Sequence, residues 1–416
     1  MKTLAVLHAS QLVTLAGAPR PRVGPEMREL RIVANGGMLL RDGIIVATGS
    51  SDEIARSVPA DAELVDAGGR VVLPGFVDAH AHPVFAGNRV DEFEMRTLGA
   101  SYEEIAAAGG GIQSTVRKTR AATEAELEQQ ALTHLQRFVA CGTTTLEAKS
   151  GYGLSVEDEL KILRVIRSVA ARSPLEIVPT FLGAHAIPAE FDGDVERYAA
   201  LVIDEMLPLV AAGGLAEYCD IFCEQGYFDI ATARQILEAA KSHGLALRMH
   251  VDQLTNSGGA SLAAEVGAAT ADHLEQTDAD GIAALKRANV QPVLLPGSVY
   301  ALGKTRYPRA RDMIDAGLAV VLSTDFNPGS SPTQSIPMVL SLAATQMKVT
   351  PAEGVTSTTV NAACSLNRFD EIGSLEPGKL ANFSIFDCDD YRELAYFFGI
   401  PQTHAVYVCG VEAFRV

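Results

Sequence analysis

The feature that most constrains this chain is an alternation. Between residues 71 and 328, eight β-type runs are separated by stretches of helical periodicity. The runs are VVLPGFVDAHAH (71–82), GTTTLEAKS (142–150), LEIVPTFLGAH (175–185), YCDIFCEQ (218–225), LALRMHVDQ (245–253), ATADHLE (269–275), QPVLLPGS (291–298) and AVVLSTDFNP (319–328). Strands that each lead into a helix build parallel βα units, and eight such units close a barrel. The helices carry their own start signals: Thr123 with Glu126 forms a capping box, Leu127, Ala131, Leu135 and Phe138 then recur on one face, and Gly142 ends the segment. A (β/α)8 barrel over residues 71–368 is therefore expected, in the α/β class.

The two tails have a different texture. LAVL, LRIV, GMLL and GIIVATG before residue 70 are short β-type runs punctuated by Gly and Pro, with no evident helix. The same style returns in ANFSIFD (381–387) and HAVYVCGVEAF (404–414). Residues 1–70 and 369–416 are expected to pair into one small β-sandwich beside the barrel.

Composition narrows the class of partner. The 416 residues are 48% hydrophobic, enough for a large core, and the net charge of −17 repels phosphate backbones and anionic lipid. No nucleic-acid or membrane partner is expected. His8, Ser10, Gln11 and Thr14 interrupt the apolar stretch Leu4–Ala18, which reads as strand and turn, and not as a secretory leader. The six cysteines, Cys141, Cys219, Cys223, Cys364, Cys388 and Cys409, form no CxxC pair and read as reduced thiols of a cytoplasmic protein.

Of nine histidines, His80, His82, His185, His250 and His273 fall at the C-terminal ends of the expected strands, the rim where barrels of this kind place their chemistry. His8, His134, His243 and His404 lie in tails or helices and read as structural or solvated. His80 and His82 are two apart on a strand, so both project from one face and can share an ion. An isolated HxH is more often a pair of buried, hydrogen-bonded histidines. Here His250 and Asp325 end strands five and eight at the same rim, and three imidazoles with one carboxylate suit Zn²⁺ or Fe²⁺ with a position left for water. Asp325 could also take that water's proton, while His273 and His185 could polarise a carbonyl or carry protons to a leaving nitrogen. Arg89 suits a substrate carboxylate, against the alternative of a surface ion pair with Asp91 or Glu92. Tyr152 and the segment Asn327-Pro328-Gly329-Ser330 add hydroxyl, amide and backbone donors. Gly109-Gly110-Gly111 lacks any phosphate-loop context and reads as a lid or a tight turn. For Lys149, an ion pair or a substrate contact is expected in preference to a carbamylated bridge between two metals.

LPGFVDAHAH, the strand-five histidine, STDFNPG and the closing GSLEPGKLANF together resemble the amidohydrolase superfamily across nearly the whole chain. VFAGNRVDEFEMRTLGASYEEIAAAGGGI, EAKSGYGL, FLGAHAIP, HVDQLTNSGGASLAAEVGAATADHLE and STDFNPGSSPT narrow the likeness to the branch that acts on 4-imidazolone-5-propanoate in histidine degradation. The resemblance implies hydrolysis of the ring C–N bond to N-formimidoyl-L-glutamate with one Zn or Fe ion. It implies metal ligands His80, His82, His250 and Asp325, a catalytic His273, and substrate contacts from Arg89, Tyr152, His185, Gln253, Asn327, Gly329 and Ser330. Related barrels are often homodimers, so it also implies a homodimer. The chain departs from the common pattern at Ala79, Ala81 and Asn382. Gln253 stands where some relatives have Glu and cannot serve as a base, which leaves proton transfer to Asp325 and His273. The competing readings are another mononuclear amidohydrolase, such as a deaminase of aromatic bases, and a catalytically dead barrel, which would be expected to have lost a ligand.

Overall fold

The computed structural model describes residues 2–100, 104–105 and 108–416. Two eight-stranded sheets organise it. The terminal sheet contains β1 (Thr3–Val13), β2 (Ile32–Arg41), β3 (Ile44–Ser50), β4 (Glu63–Asp66) and β5 (Val71–Pro74). The barrel follows with β6 (Phe76–Asp78), β7 (Thr143–Lys149), β8 (Glu176–Ala184), β9 (Tyr218–Cys223), β10 (Ala246–Val251), β11 (Thr270–His273), β12 (Gln291–Leu294) and β13 (Val321–Leu322). The chain then returns to the terminal sheet with β14 (Phe383–Phe386), β15 (Thr403–Val408) and β16 (Val411–Arg415).

The barrel strands neighbour one another in chain order from β6 to β13, and each pairs parallel with the next. All eight sequence runs supply a barrel strand. The seam between first and last closes at the rim: His82 N donates to Phe326 O at 2.8 Å and Asp325 N to His80 O at 3.0 Å. Three candidate ligands thus sit on the closing stitch of the barrel. The helix Glu124–Ala140 buries Leu127, Ala131, Leu135 and Phe138 as its period requires, and its capping box is formed by Thr123 and Glu126.

The run 71–82, read from sequence as one strand, is two. Val71–Pro74 pairs with β1 and β14 in the terminal sheet, and only Phe76–Asp78 pairs with β7. The chain changes sheets at Gly75, where a Cβ would sit 2.1 Å from Thr144 Cγ2, so the crossing needs a residue without a side chain. The end of the LRIV run and the whole of GMLL, conversely, belong to the single strand β2.

The tails do join. β14 pairs antiparallel with β5, and β5 lies parallel to β1, so one sheet holds both ends of the chain. A register shift after Val6, with His8 at φ 60°, bends β1 so that its first half pairs with β4 and its second half with β5. Met38, Leu40, Val72, Phe383 and Tyr407 belong to the apolar core this sheet encloses. HAVYVCGVEAF is a hairpin, turning at Cys409 and Gly410, both at positive φ. The N-terminal tail also contains a short helix, Ser51–Ala55, started by a Ser50–Glu53 capping box.

Candidate active site

A cavity of about 660 Å³ opens at the C-terminal ends of the barrel strands. His82, His185, His250, His273 and Asp325 line it together with Arg89, Glu92 and Arg96.

Ligand-type atoms of His80, His82 and His250 lie within 4.8 Å of one another, as do those of His80, His273 and Asp325. His80 Nε2 and His82 Nε2 are each 3.6 Å from Asp325 Oδ1. His80 Nε2 is buried with no hydrogen-bond partner, because Nδ1 is taken by Asp272 Oδ2 at 2.6 Å. His250 Nδ1 lies 3.1 Å from Asp220 Oδ2. A carboxylate behind an imidazole fixes which nitrogen faces forward and raises its basicity, the usual support of a metal-binding histidine. Three imidazoles, one carboxylate and an orphaned nitrogen between them fit a single ion. Burial, with Lys149 next in effect, drives the His80 pKa well below its ordinary value, and burial brings His250 to about 4, so both rings are neutral donors at pH 7. Burial likewise raises Asp325 to about 7 in the absence of an ion. The Asp325 backbone is left-handed, φ 53°, a conformation that non-glycine residues seldom adopt outside functional sites and turns.

Beneath these donors lies a layer of charge with no solvent contact. Lys149 Nζ is 2.7 Å from both Glu147 Oε1 and Asp220 Oδ2 and 3.8 Å from Asp272 Oδ2. Arg248 Nε is 3.1 Å from Glu147, and its Nη2 donates to Ala79 O at 2.7 Å. Burial opposes the Lys149 charge, but Asp220 and Glu147 outweigh it and raise the pKa. Lys149 is therefore an ammonium held in ion pairs and does not face the cavity.

The loop after β7 is gathered by Glu159, whose carboxylate accepts from the backbone N–H groups of Gly151, Gly153 and Leu154 at 2.7–3.0 Å. This presents Tyr152 to the cavity beside His185, ring centres 5.4 Å apart. His185 Nδ1 is bonded to Gly151 O at 2.9 Å, and burial lowers its pKa to about 4. The neutral ring therefore carries its proton on Nδ1 and offers Nε2 as an acceptor. His185 also stacks on His82 at 5.3 Å. His273, with Nδ1 3.3 Å from Glu275 Oε1, behaves oppositely. Burial alone would lower its pKa, but Glu275, Asp325 and Asp272 outweigh that and raise it.

Arg89 lines the cavity but its guanidinium is not free: Nε and Nη2 donate to Glu92 Oε2 at 2.8 and 2.6 Å. The ion pair and the site position coexist, since Glu92 is itself buried and its other oxygen accepts from Gly111 N at 3.1 Å. Gly110 and Gly111 thus pack behind Glu92 as a turn, with no phosphate cradle. Residues 101–103 and 106–107 of the long motif lie outside the described residues. Arg89 faces Gly329 so closely that a Cβ there would meet Nη1 at 2.1 Å, and Arg96 Nη1 donates to Gly329 O at 3.3 Å. Asn327 organises its own loop: Oδ1 accepts from Gly329 N and Ser330 N at 2.8 and 2.7 Å, and Nδ2 donates to Asp325 O at 2.7 Å. Gln253, Asn327, Gly329 and Ser330 all line the cavity. His134 stands apart from the donor cluster, bonded to Pro83 O and stacked on Phe85.

Barrel, rim histidines and carboxylate define a hydrolase of the amidohydrolase class, with a donor set compatible with a single metal ion. The amidohydrolase family model matches residues 71–411, and the chain belongs to that family. At full length it is 62% identical over 415 residues to the imidazolonepropionase of Solibacter usitatus (strain Ellin6076), covering 100% of this chain and 99% of the relative. It is 47% identical over 410 residues to the imidazolonepropionase of Geobacillus sp. (strain WCH70), covering 98% and 96%. Among solved structures, 5-methylcytosine deaminase from Klebsiella pneumoniae superposes with a TM-score of 0.73 at 17% identity over 99% of this chain and 98% of that one, a likeness of fold.

Proposed function

We propose that the chain hydrolyses the ring C–N bond of 4-imidazolone-5-propanoate to N-formimidoyl-L-glutamate, the activity its full-length relatives are named for. The observation that carries this reading is the cavity itself, which is lined by His82, His250 and Asp325 of the donor set together with the guanidinium-bearing Arg89 and Arg96. A substrate with a reactive ring and a propionate tail matches both kinds of lining group. A deaminase of uncharged bases offers no anionic group to the Arg89 and Arg96 that line the cavity.

His80, His82, His250 and Asp325 would hold one zinc or iron ion. Such an ion lowers the pKa of its water from 15.7 toward about 7 and so supplies hydroxide at neutral pH. Asp325 takes the proton as the water oxygen adds to the ring carbon. His273 carries a proton to the nitrogen that leaves as the C–N bond breaks. His185, with Nε2 as acceptor, receives a ring N–H and orients the substrate, a narrower part than polarising a carbonyl. Arg89 and Arg96 face the propionate, and Tyr152 closes the side of the cavity. Gln253 offers amide hydrogen bonds and no base. The same reading places the enzyme in the cytoplasm as a homodimer.

The test is loss of imidazolone absorbance with the product identified by mass. Conversion of 4-imidazolone-5-propanoate but not of an imidazolone lacking the carboxylate is expected. Equal turnover of both, or turnover of neither, overturns the assignment.

A further inference from the structure

Glu275 was not among the residues singled out in the sequence, yet it is 3% exposed and touches the site through His273. Its placement is built into the backbone. His273 and Leu274 both adopt left-handed φ, 80° and 68°, so residue 275 turns back beside the His273 ring. Arg306 Nε donates to Glu275 O at 3.1 Å and ties the turn down. One carboxylate oxygen, Oε1, is 3.3 Å from His273 Nδ1, while the other, Oε2, is buried without a partner. Glu275 also lines a recess of about 30 Å³ with Gln253, Ser298 and Arg306. That volume suffices for one water.

The rim histidines divide by what backs them. His80, His250 and His273 have a buried carboxylate at Nδ1, at 2.6, 3.1 and 3.3 Å, whereas His185 has a carbonyl. For His80 and His250 the carboxylate sharpens a metal donor. The ligand set His80, His82, His250 and Asp325 of the proposed function leaves His273, which lies beside His80 and Asp325, for proton transfer, and its carboxylate then serves that role.

Resting on the imidazolone reading, we propose that Glu275 is the positioning residue of the proton-carrying histidine: it holds the Nδ1–H of His273, aims Nε2 into the cavity and faces the imidazolium with a negative charge. The proton on Nε2 goes to the leaving nitrogen, and the ring returns to neutral with its Nδ1–H still on Glu275.

Glu275→Gln keeps the shape and removes the charge. The expected result is a kcat lowered about 10- to 100-fold, a KM within about twofold of wild type, and an unchanged metal content. In Glu275→Ala, added formate restores part of the lost kcat and does nothing for wild type. A second readout needs no substrate: in the zinc-loaded chain at pH 7, the ring ¹⁵N signals of His273 report a protonated Nδ1 in wild type and mixed tautomers in Glu275→Gln. A Glu275→Gln enzyme with wild-type kcat, or with unchanged His273 signals, overturns the proposal. If wild type leaves imidazolone untouched, the functional reading fails, and the ¹⁵N signature still decides Glu275.

Discussion

Beneath the cavity, Lys149, Arg248, Glu147, Asp220 and Asp272 form a layer with no solvent contact, whereas the terminal sheet closes around Met38, Leu40, Val72, Phe383 and Tyr407. Both regions are fully buried, and they are held by opposite means. Apolar packing is non-directional and tolerates repacking. A buried charge is tolerable only while its partner stands in place, and replacing a whole buried ion pair by apolar groups is often neutral or stabilising. The charged layer therefore points to chemistry: it keeps Asp272 behind His80 and Asp220 behind His250. The terminal sheet, by contrast, contributes stability without touching the donors, and the two regions are expected to fail in different ways.

The largest difference is in turnover. Asp325→Asn is expected to lower kcat by at least about a thousandfold while the thermal unfolding midpoint stays near wild type. Phe383→Ala is expected to leave the kcat of folded enzyme intact and to reduce stability by about 3–5 kcal/mol, read by denaturant unfolding. A loss of kcat in the Phe383 variant of the Asp325 order would dissolve the contrast. Arg248→Met joins both signatures, because Arg248 stands 3.1 Å from Glu147 and 3.7 Å from Asp272 and its loss leaves Lys149 as the one cation for Glu147, Asp220 and Asp272: destabilisation of about 3–5 kcal/mol is expected together with weaker metal retention against a chelator.

Proton linkage separates the regions next. In the folded chain His185 is held at about 4, below the ordinary 6.5, so the unfolded chain binds the extra proton first as pH falls. The stability His185 supplies above pH 6.5 is lost on the way down to about pH 4. Relative to equally metal-stripped wild type, His185→Gln is thus expected to gain about 3 kcal/mol over that window, in denaturant titrations at stepped pH. The Phe383→Ala offset should stay constant across the same steps. The smallest effect belongs to the scaffold: Thr123→Ala removes the cap whose Oγ1 accepts from Glu126 N and is expected to reduce stability by about 1 kcal/mol, with kcat unchanged.

The same contrast explains what the sequence made legible. His80, His82, His250 and Asp325 stand out because rare residue types recur at the ends of apolar strands, a local pattern. The eight strands were visible for the same reason. The Asp272 partner of His80 is 192 residues away, and nothing local marks Arg248, Glu92, Glu159 or Glu275 as anything but ordinary charges. Their meaning arises only when the barrel closes. Arg89 shows the point from the other side: the ion pair with Glu92 and the cavity position were weighed as alternatives, and the fold supplies both. Hydropathy does not mark the split at Gly75, because residues 71–77 are apolar throughout and the change of sheet falls inside that stretch.

The central claim is one ion on His80, His82, His250 and Asp325, and it is tested most directly by stripping the enzyme with a chelator and titrating zinc back while following imidazolone hydrolysis. Activity should vanish on stripping, return in proportion to added zinc and stop rising at one ion per chain, with Asp325→Asn failing to recover at any zinc level. Full activity in the stripped enzyme, a plateau at two ions per chain, or recovery of the Asp325→Asn variant would contradict it.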